Sequence, residues 1–368
     1  MSRIVAVHGV LPPHRYEQSE ITEALGDMCL PLGRDRSVVE RLHSSATVRS
    51  RRLALPLEQY ADLDGFGRAN DAFIRVALEL GEEAVVGALA QAGLRAQDID
   101  LVVTTSVTGI AAPSLEARLA GRLGLRPDVK RVPMFGLGCV AGAAGIARLH
   151  DYLEGHPGQV ALLLSVELCS LTLQRTDASM TNMVAGALFG DGAAALIAVG
   201  RDRPHREQGP VPDSAQASVP APVRAPVVTA TRSHLYPDTE RLLGWDIGDT
   251  GFRIVLGPDL PDLVRRELGD GVRDFLGDHD LKPQDVTAWV CHPGGPQVLE
   301  AIRESLELPA RALELTWRSL AEVGNLSSAS VLHVLRDTLA QLPPPPGTPG
   351  LLLAMGPGFC TELVLLRW

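Results

Sequence analysis

The chain has 368 residues, 45% hydrophobic and 21% charged, the balance of an ordinary globular protein with room for a large core. Its formal net charge of −10 argues against a nucleic-acid surface, and no apolar run approaches the roughly 18 residues of a membrane span. Five scattered cysteines without a Cys-x-x-Cys argue against a disulfide framework or a structural zinc site and fit a reducing cytoplasm.

In chain order, residues 4–10 read as a strand ended by Pro12-Pro13, with no signal-peptide run before it. Residues 19–28 and 35–44 read as helices. The arginine-rich stretch Val48-Arg49-Ser50-Arg51-Arg52 is either a solvated loop or a contact for substrate phosphates. Residues 69–92 form a long helical pattern closed by Gly93 as a C-cap. A buried strand is expected at 98–105, then a loop to Ser114, which caps a helix to Leu123. Residues 160–166 form another apolar strand, 174–181 a loop, and 186–197 a turn feeding a strand. The segment 201–225, rich in Pro, Arg, Ala and Gln, reads as a flexible connection between a first half (1–225) and a second (226–368). The second half offers strands at 227–234, 251–256 and 286–291, helices at 259–277 and 297–306, and a glycine-marked stretch at 320–330 entering a helix to Leu342. Strands at 351–354 and 361–367 close the chain.

The two halves repeat one order of parts. Each has a buried strand, then a helix, then a glycine-marked helix start, carrying Cys139 in one half and Asn325 in the other. Each start lies roughly 35 residues past its strand, and two apolar strands follow, the signature of a duplicated unit. Strands alternating with helices imply mixed sheets covered by helices, and packing two such halves would bring both helix starts to one site.

Cys139 sits in Gly136-Leu137-Gly138-Cys139-Val140-Ala141-Gly142, at the start of a small-residue helix, where unpaired N–H groups and the dipole stabilise a thiolate. A lone Cys among small apolar residues is also compatible with an inert buried side chain. His292 follows a buried strand and precedes Pro293-Gly294-Gly295-Pro296. Asn325 stands in Gly324-Asn325-Leu326-Ser327-Ser328-Ala329. Alone, His292 reads as a core histidine and Asn325 as a helix cap. Together with Cys139 they supply a nucleophile, its charge partner and an amide donor for a developing oxyanion.

These motifs, with Ala187-Leu188-Phe189-Gly190-Asp191-Gly192-Ala193-Ala194 and Gly356-Pro357-Gly358, resemble the type III polyketide synthases, the chalcone and stilbene synthase superfamily, in a bacterial form. They run in family order over nearly the whole chain. The resemblance implies an α/β thiolase fold, a duplicated five-layered αβαβα architecture working as a homodimer, with CoA thioesters as substrates and neither cofactor nor metal. It assigns Cys139 as the acyl-bearing nucleophile, His292 as the ion-pair partner of its thiolate, and His292 with Asn325 as donors to the enolate left when malonyl-CoA loses carbon dioxide. It further implies Phe189 and Phe252 as gatekeeping aromatics, Thr172 as a cavity-lining residue, the loop 108–114 as one that reaches the dimer partner, and Arg41 as a CoA-phosphate contact. The family's CoA-binding lysines are absent. The loop 105–114 is most similar to alkylresorcinol, alkylpyrone or germicidin-type synthases, so the expected reaction is iterative condensation of malonyl-type extenders onto a fatty acyl-CoA starter, closing to an alkylpyrone or alkylresorcinol. The alternatives are an aromatic-starter or starterless synthase of the same type, or a single-condensation enzyme similar to ketoacyl carrier-protein synthase III.

Overall fold

The computed structural model describes residues 1–29, 36–204 and 225–368. Its first half contains β1 (Ser2–Val10), β2 (His14–Glu17), α1 (Gln18–Cys29), α2 (Ser37–Ser45), β3 (Ser50–Leu53), α3 (Gly65–Ala92), β4 (Leu101–Thr105), α4 (Leu115–Leu123), β5 (Lys130–Met134), α5 (Ala141–Gly155), β6 (Val160–Leu168), α6 (Met180–Leu188) and β7 (Asp191–Gly200). The second contains β8 (Val227–Leu235), β9 (Leu243–Gly248), β10 (Gly251–Leu256), α7 (Leu260–Leu263), α8 (Gly269–Gly277), β11 (Ala288–Cys291), α9 (Pro296–Ser305), α10 (Glu314–Val323), α11 (Ser330–Gln341), β12 (Pro349–Gly356) and β13 (Cys360–Arg367). The segment 201–225 expected to connect the halves lies, apart from its ends, outside the described residues.

Nine strands form one mixed sheet in the order β11-β12-β13-β8-β1-β7-β6-β4-β5. That order is symmetric about the β8–β1 boundary. β4 runs parallel to β6 as β11 does to β12, and the β6–β7–β1 series is antiparallel as is β12–β13–β8. The duplication read from the order of parts is therefore a duplication of strand pairing. β5 alone has no counterpart among the described residues, and it leaves one edge of the sheet open.

The strands are buried on both faces because their residues serve different cores in alternation. On β6, Val160, Leu162, Leu164 and Val166 pack toward α3, while Ala161 and Leu163 face Ala143, Ile146 and Leu149 of α5. On β12, Leu351, Leu353 and Met355 join Phe275 of α8 and Leu299 of α9, while Leu352 and Ala354 share the α5 and α11 core with Val331 and Leu335. Three apolar layers thus separate outer helices, sheet, central helices, sheet and outer helices, which is the five-layered thiolase arrangement.

Some local expectations need correcting. Part of the stretch read as loop and turn is helical, as α6, because Ser179 caps it by accepting from the Asn182 N–H and small residues let it pack tightly. α10 and the strand Leu243–Gly248 carried no clear periodic signal. The helix at 259–277 contains a π turn over Val264–Leu268.

Candidate active site

Cys139 lies in a short 3₁₀ turn, Gly138–Val140, between β5 and α5. Two glycines set its surroundings. Gly138 has φ +54°, and a Cβ there would fall 2.7 Å from the Pro357 ring. A Cβ on Gly142 would fall 2.2 Å from the Ser328 carbonyl oxygen, so only glycine lets the starts of α5 and α11 approach at backbone distance. That approach joins the two halves chemically. The Cys139 thiol donates to Ser327 Oγ at 3.6 Å, and its sulfur also hydrogen-bonds the Asn325 side chain.

The Asn325 amide is oriented by its neighbours. Its Oδ1 accepts from the Ser327 N–H at 2.8 Å, which turns Nδ2 the other way, toward the Gly294 carbonyl at 3.4 Å. Its backbone is paired with the segment carrying Phe189: Asn325 N–H donates to Leu188 O at 2.8 Å and Gly190 N–H to Asn325 O at 2.9 Å. His292 stands at the end of β11, its N–H donating to Leu353 O at 2.8 Å, and the turn that follows brings Gly294 to Asn325. The His292 ring is 2% exposed, and neither ring nitrogen has a partner.

Burial pushes the Cys139 thiol up to about 12, a rise that the Glu167 carboxylate adds to and the Ser327 hydrogen bond opposes. Burial pushes His292 down to about 3. Each shift favours the neutral form of its group, so a thiolate–imidazolium pair would have to form by proton transfer between the two rather than by separate ionisation.

Glu167 was not found by sequence reasoning. It is wholly buried at the end of β6, where Ser106 Oγ, Val107 N–H, Thr108 Oγ1 and Ser328 Oγ all donate to it. The available signal was a lone acid closing an otherwise apolar run. The carboxyl ties the strand ends β4 and β6 to the start of α11, and so fixes the floor under Cys139.

A cavity of about 60 Å³ lies beside this cluster, lined in part by Phe189, Thr172, Cys169, Ser170, Tyr60 and Arg51. Cys169 is within electrostatic reach of Cys139. Phe189 and Thr172 both line the cavity, and Thr172 Oγ1 donates to Cys169 O at 2.7 Å. Phe252 is not on the wall. It is buried in an aromatic group with Phe66, Phe135 and Trp245 at ring separations of 5.4, 6.2 and 6.0 Å, and Trp245 lines the cavity instead. Arg41 is exposed on α2 and lines no described cavity.

Both readings of the arginine-rich stretch are corrected at Arg51 and Arg52. Arg51 is 3% exposed because β3 carries it inward, and its Nη1 donates to Phe189 O at 2.7 Å. Arg52 donates to Pro13 O at 2.9 Å. Arg49 alone is exposed, paired with Glu322 at 3.7 Å.

Comparison with known proteins gives a consistent picture. Residues 2–203 match the family described as chalcone and stilbene synthases, N-terminal domain, and residues 227–368 match its C-terminal domain. A 1,3,6,8-tetrahydroxynaphthalene synthase of Streptomyces peucetius subsp. caesius is 61% identical over 365 residues, covering 99% of this chain and 93% of the relative. An alpha-pyrone synthesis polyketide synthase-like protein of Mycobacterium tuberculosis (strain ATCC 25618 / H37Rv) is 30% identical, covering 96% and 88%. The crystal structure of 1,3,6,8-tetrahydroxynaphthalene synthase from Streptomyces coelicolor A3(2), a bacterial type III polyketide synthase, superposes with a TM-score of 0.89 at 29% identity, covering 100% of this chain and 99% of that one.

Proposed function

The chain belongs to the chalcone and stilbene synthase family and is a type III polyketide synthase, an acyltransferase; from that premise we propose that it condenses malonyl-CoA alone into a polyhydroxylated naphthalene. The observation that carries this reading is the 61% identity, over nearly its whole length, to a synthase named for 1,3,6,8-tetrahydroxynaphthalene. On that identity the alkylpyrone or alkylresorcinol expectation gives way to the starterless alternative. The alpha-pyrone relative is the more distant at 30%.

In this reading Cys139 passes its proton to His292 and attacks the malonyl-CoA thioester, and CoA leaves as its thiol with that proton. A second malonyl-CoA then loses carbon dioxide. The enolate oxygen so formed takes hydrogen bonds from Asn325 Nδ2, which the Ser327 and Gly294 contacts preset, and from His292. The enolate carbon attacks the Cys139 thioester, which leaves the extended chain on CoA and a thiolate on Cys139; His292 takes a proton from water, and the thiolate then displaces CoA from the extended chain to begin the next cycle. The pattern of oxygens in the product fits five two-carbon units. Closing the perimeter requires the chain's terminal carbon to act as a nucleophile, and a carboxyl retained from a malonyl starter acidifies that carbon. Phe189, on the cavity wall, keeps water from the thioester.

We also take the chain to act as a homodimer. Edge strand β5 is almost wholly exposed, with Val132 and, just beyond it, Phe135 each more than two-fifths exposed, and a second copy would cover that open edge.

The deciding experiment incubates the purified protein with malonyl-CoA as the sole thioester and identifies products by mass spectrometry and NMR. A naphthalene tetrol, or the quinone it oxidises to, supports the reading. No product until a fatty acyl-CoA is added, and then pyrones that lengthen with it, would overturn it.

A further inference from the structure

Arg51 is a buried guanidinium with one edge unused. Nη1 is committed to the Phe189 carbonyl, while Nε and Nη2, the side-on fork of the group, have no partner. Asp191, whose charge Arg51 feels, does not take them: its oxygens accept from Ala54 N–H at 2.6 Å, Ser170 N–H at 2.8 Å and Ser170 Oγ. A buried donor pair without an acceptor is costly unless something else supplies one. Arg51 lines the same cavity as Phe189, Thr172 and Cys169, and in the proposed reaction that cavity receives the acyl chain carried by Cys139.

We infer that the Nε–Nη2 fork of Arg51 binds a planar pair of acceptor oxygens on the growing acyl chain and thereby selects an oxygenated chain over an alkyl one. Two parallel N–H donors match such a pair in spacing and direction. The pair has two sources, the carboxylate of a malonyl starter or the 1,3-dicarbonyl unit present after two extensions. An alkyl chain offers neither and leaves the fork unsatisfied, so the site penalises it. The inference rests on the proposed starterless reaction, and it extends that reaction by assigning the residue that reads the chain.

The test compares Arg51→Gln with Arg51→Lys, which keeps the charge but replaces the fork by a single point donor. Loading of hexanoyl on Cys139 from hexanoyl-CoA, read by intact mass, reports that each variant is folded. Product formation is then measured with malonyl-CoA alone and with a hexanoyl starter. Arg51→Gln is expected to lose about 10- to 100-fold in kcat/KM for the full-length product, with Arg51→Lys between it and wild type. A loss confined to malonyl priming assigns the carboxylate. Chains that stop after two extensions from either starter assign the dicarbonyl. If Arg51→Gln does not fold, Arg51→Lys is read by the same criteria. Wild-type product at wild-type rate from the folded variants would overturn the inference. A wild-type enzyme that requires fatty starters would instead overturn the starterless reading, and the extension arm would still judge Arg51.

Discussion

Replacing His292 with Gln isolates what the imidazole does for the thiol. In the proposed mechanism the proton leaving Cys139 passes to His292, a buried imidazole whose two ring nitrogens are unpartnered. In His292→Gln no acceptor of that basicity remains, and the thiol is left to its surroundings, which push it from 9.0 up to about 12. A raised thiol pKa means less thiolate at neutral pH, and three units lower the fraction about a thousandfold relative to an ordinary cysteine. A more basic thiolate is intrinsically more nucleophilic, which recovers part of this, so the variant should alkylate about 30- to 60-fold more slowly than a free cysteine at pH 7. Its rate should climb with pH throughout the range 5 to 10 without levelling. The wild type, whose thiolate forms with the imidazolium, should level off within that range. The assay is iodoacetamide labelling of Cys139 followed by peptide mass, which separates it from the other four cysteines. A His292→Gln protein that labels at the wild-type rate with the wild-type profile would refute proton transfer between the two groups.

Asn325→Ala should still take an acyl group onto Cys139 but condense it about 100- to 1000-fold more slowly, because only the enolate oxygen uses the amide; accumulation of acyl-enzyme by intact mass with a fall in kcat checks this. Gly142→Ala drives a methyl to 2.2 Å from the Ser328 carbonyl, where both sides are backbone; a loss of roughly 1–3 kcal/mol in denaturant unfolding is expected, together with slower Cys139 labelling as the two helix starts part. Val132→Glu on the exposed edge strand should convert a dimer to monomer in light scattering behind size exclusion, without changing the far-UV circular dichroism of the subunit.

How much of this was legible in the chain depended on how local each signal is. Phe189 was singled out by the family resemblance alone, whereas Cys139, His292 and Asn325 could be singled out because each sits at an abrupt change from apolar strand or small-residue helix to glycine, which is visible within a few residues. The duplicated sheet was legible for the same reason, as apolar strands recurring in one order. Arg51 was misplaced because its neighbours differ, Arg49 exposed and Arg52 half-buried, and a run of arginines does not say which one a short strand turns inward. Glu167 was passed over because a charge closing a buried run declares itself only once Ser328, distant in sequence, is seen donating to it. Phe252 was taken as a gatekeeping aromatic from the family resemblance, and nothing in the sequence shows that Phe66 and Trp245 stand against its ring.

The duplication also explains why the chemistry divides as it does. α5 and α11 occupy equivalent places between the two halves of the sheet, so their starts face each other across the pseudo-symmetric boundary. One start carries the thiol and the other the amide, and Gly142 lets them meet. The strands β4 and β11 are equivalent too, yet they end differently. After β4 come Ser106 and Thr108, bound to Glu167; after β11 comes His292, whose ring is bound to nothing. A symmetric pair of ends would give two satisfied networks and no acid or base. Breaking the symmetry there leaves one end as a hydrogen-bonded floor and the other as an unpartnered imidazole, and the proposed two-stroke cycle of loading and condensation uses both. An exchange that restored equivalence, such as His292→Ser, should therefore abolish turnover while leaving the sheet intact.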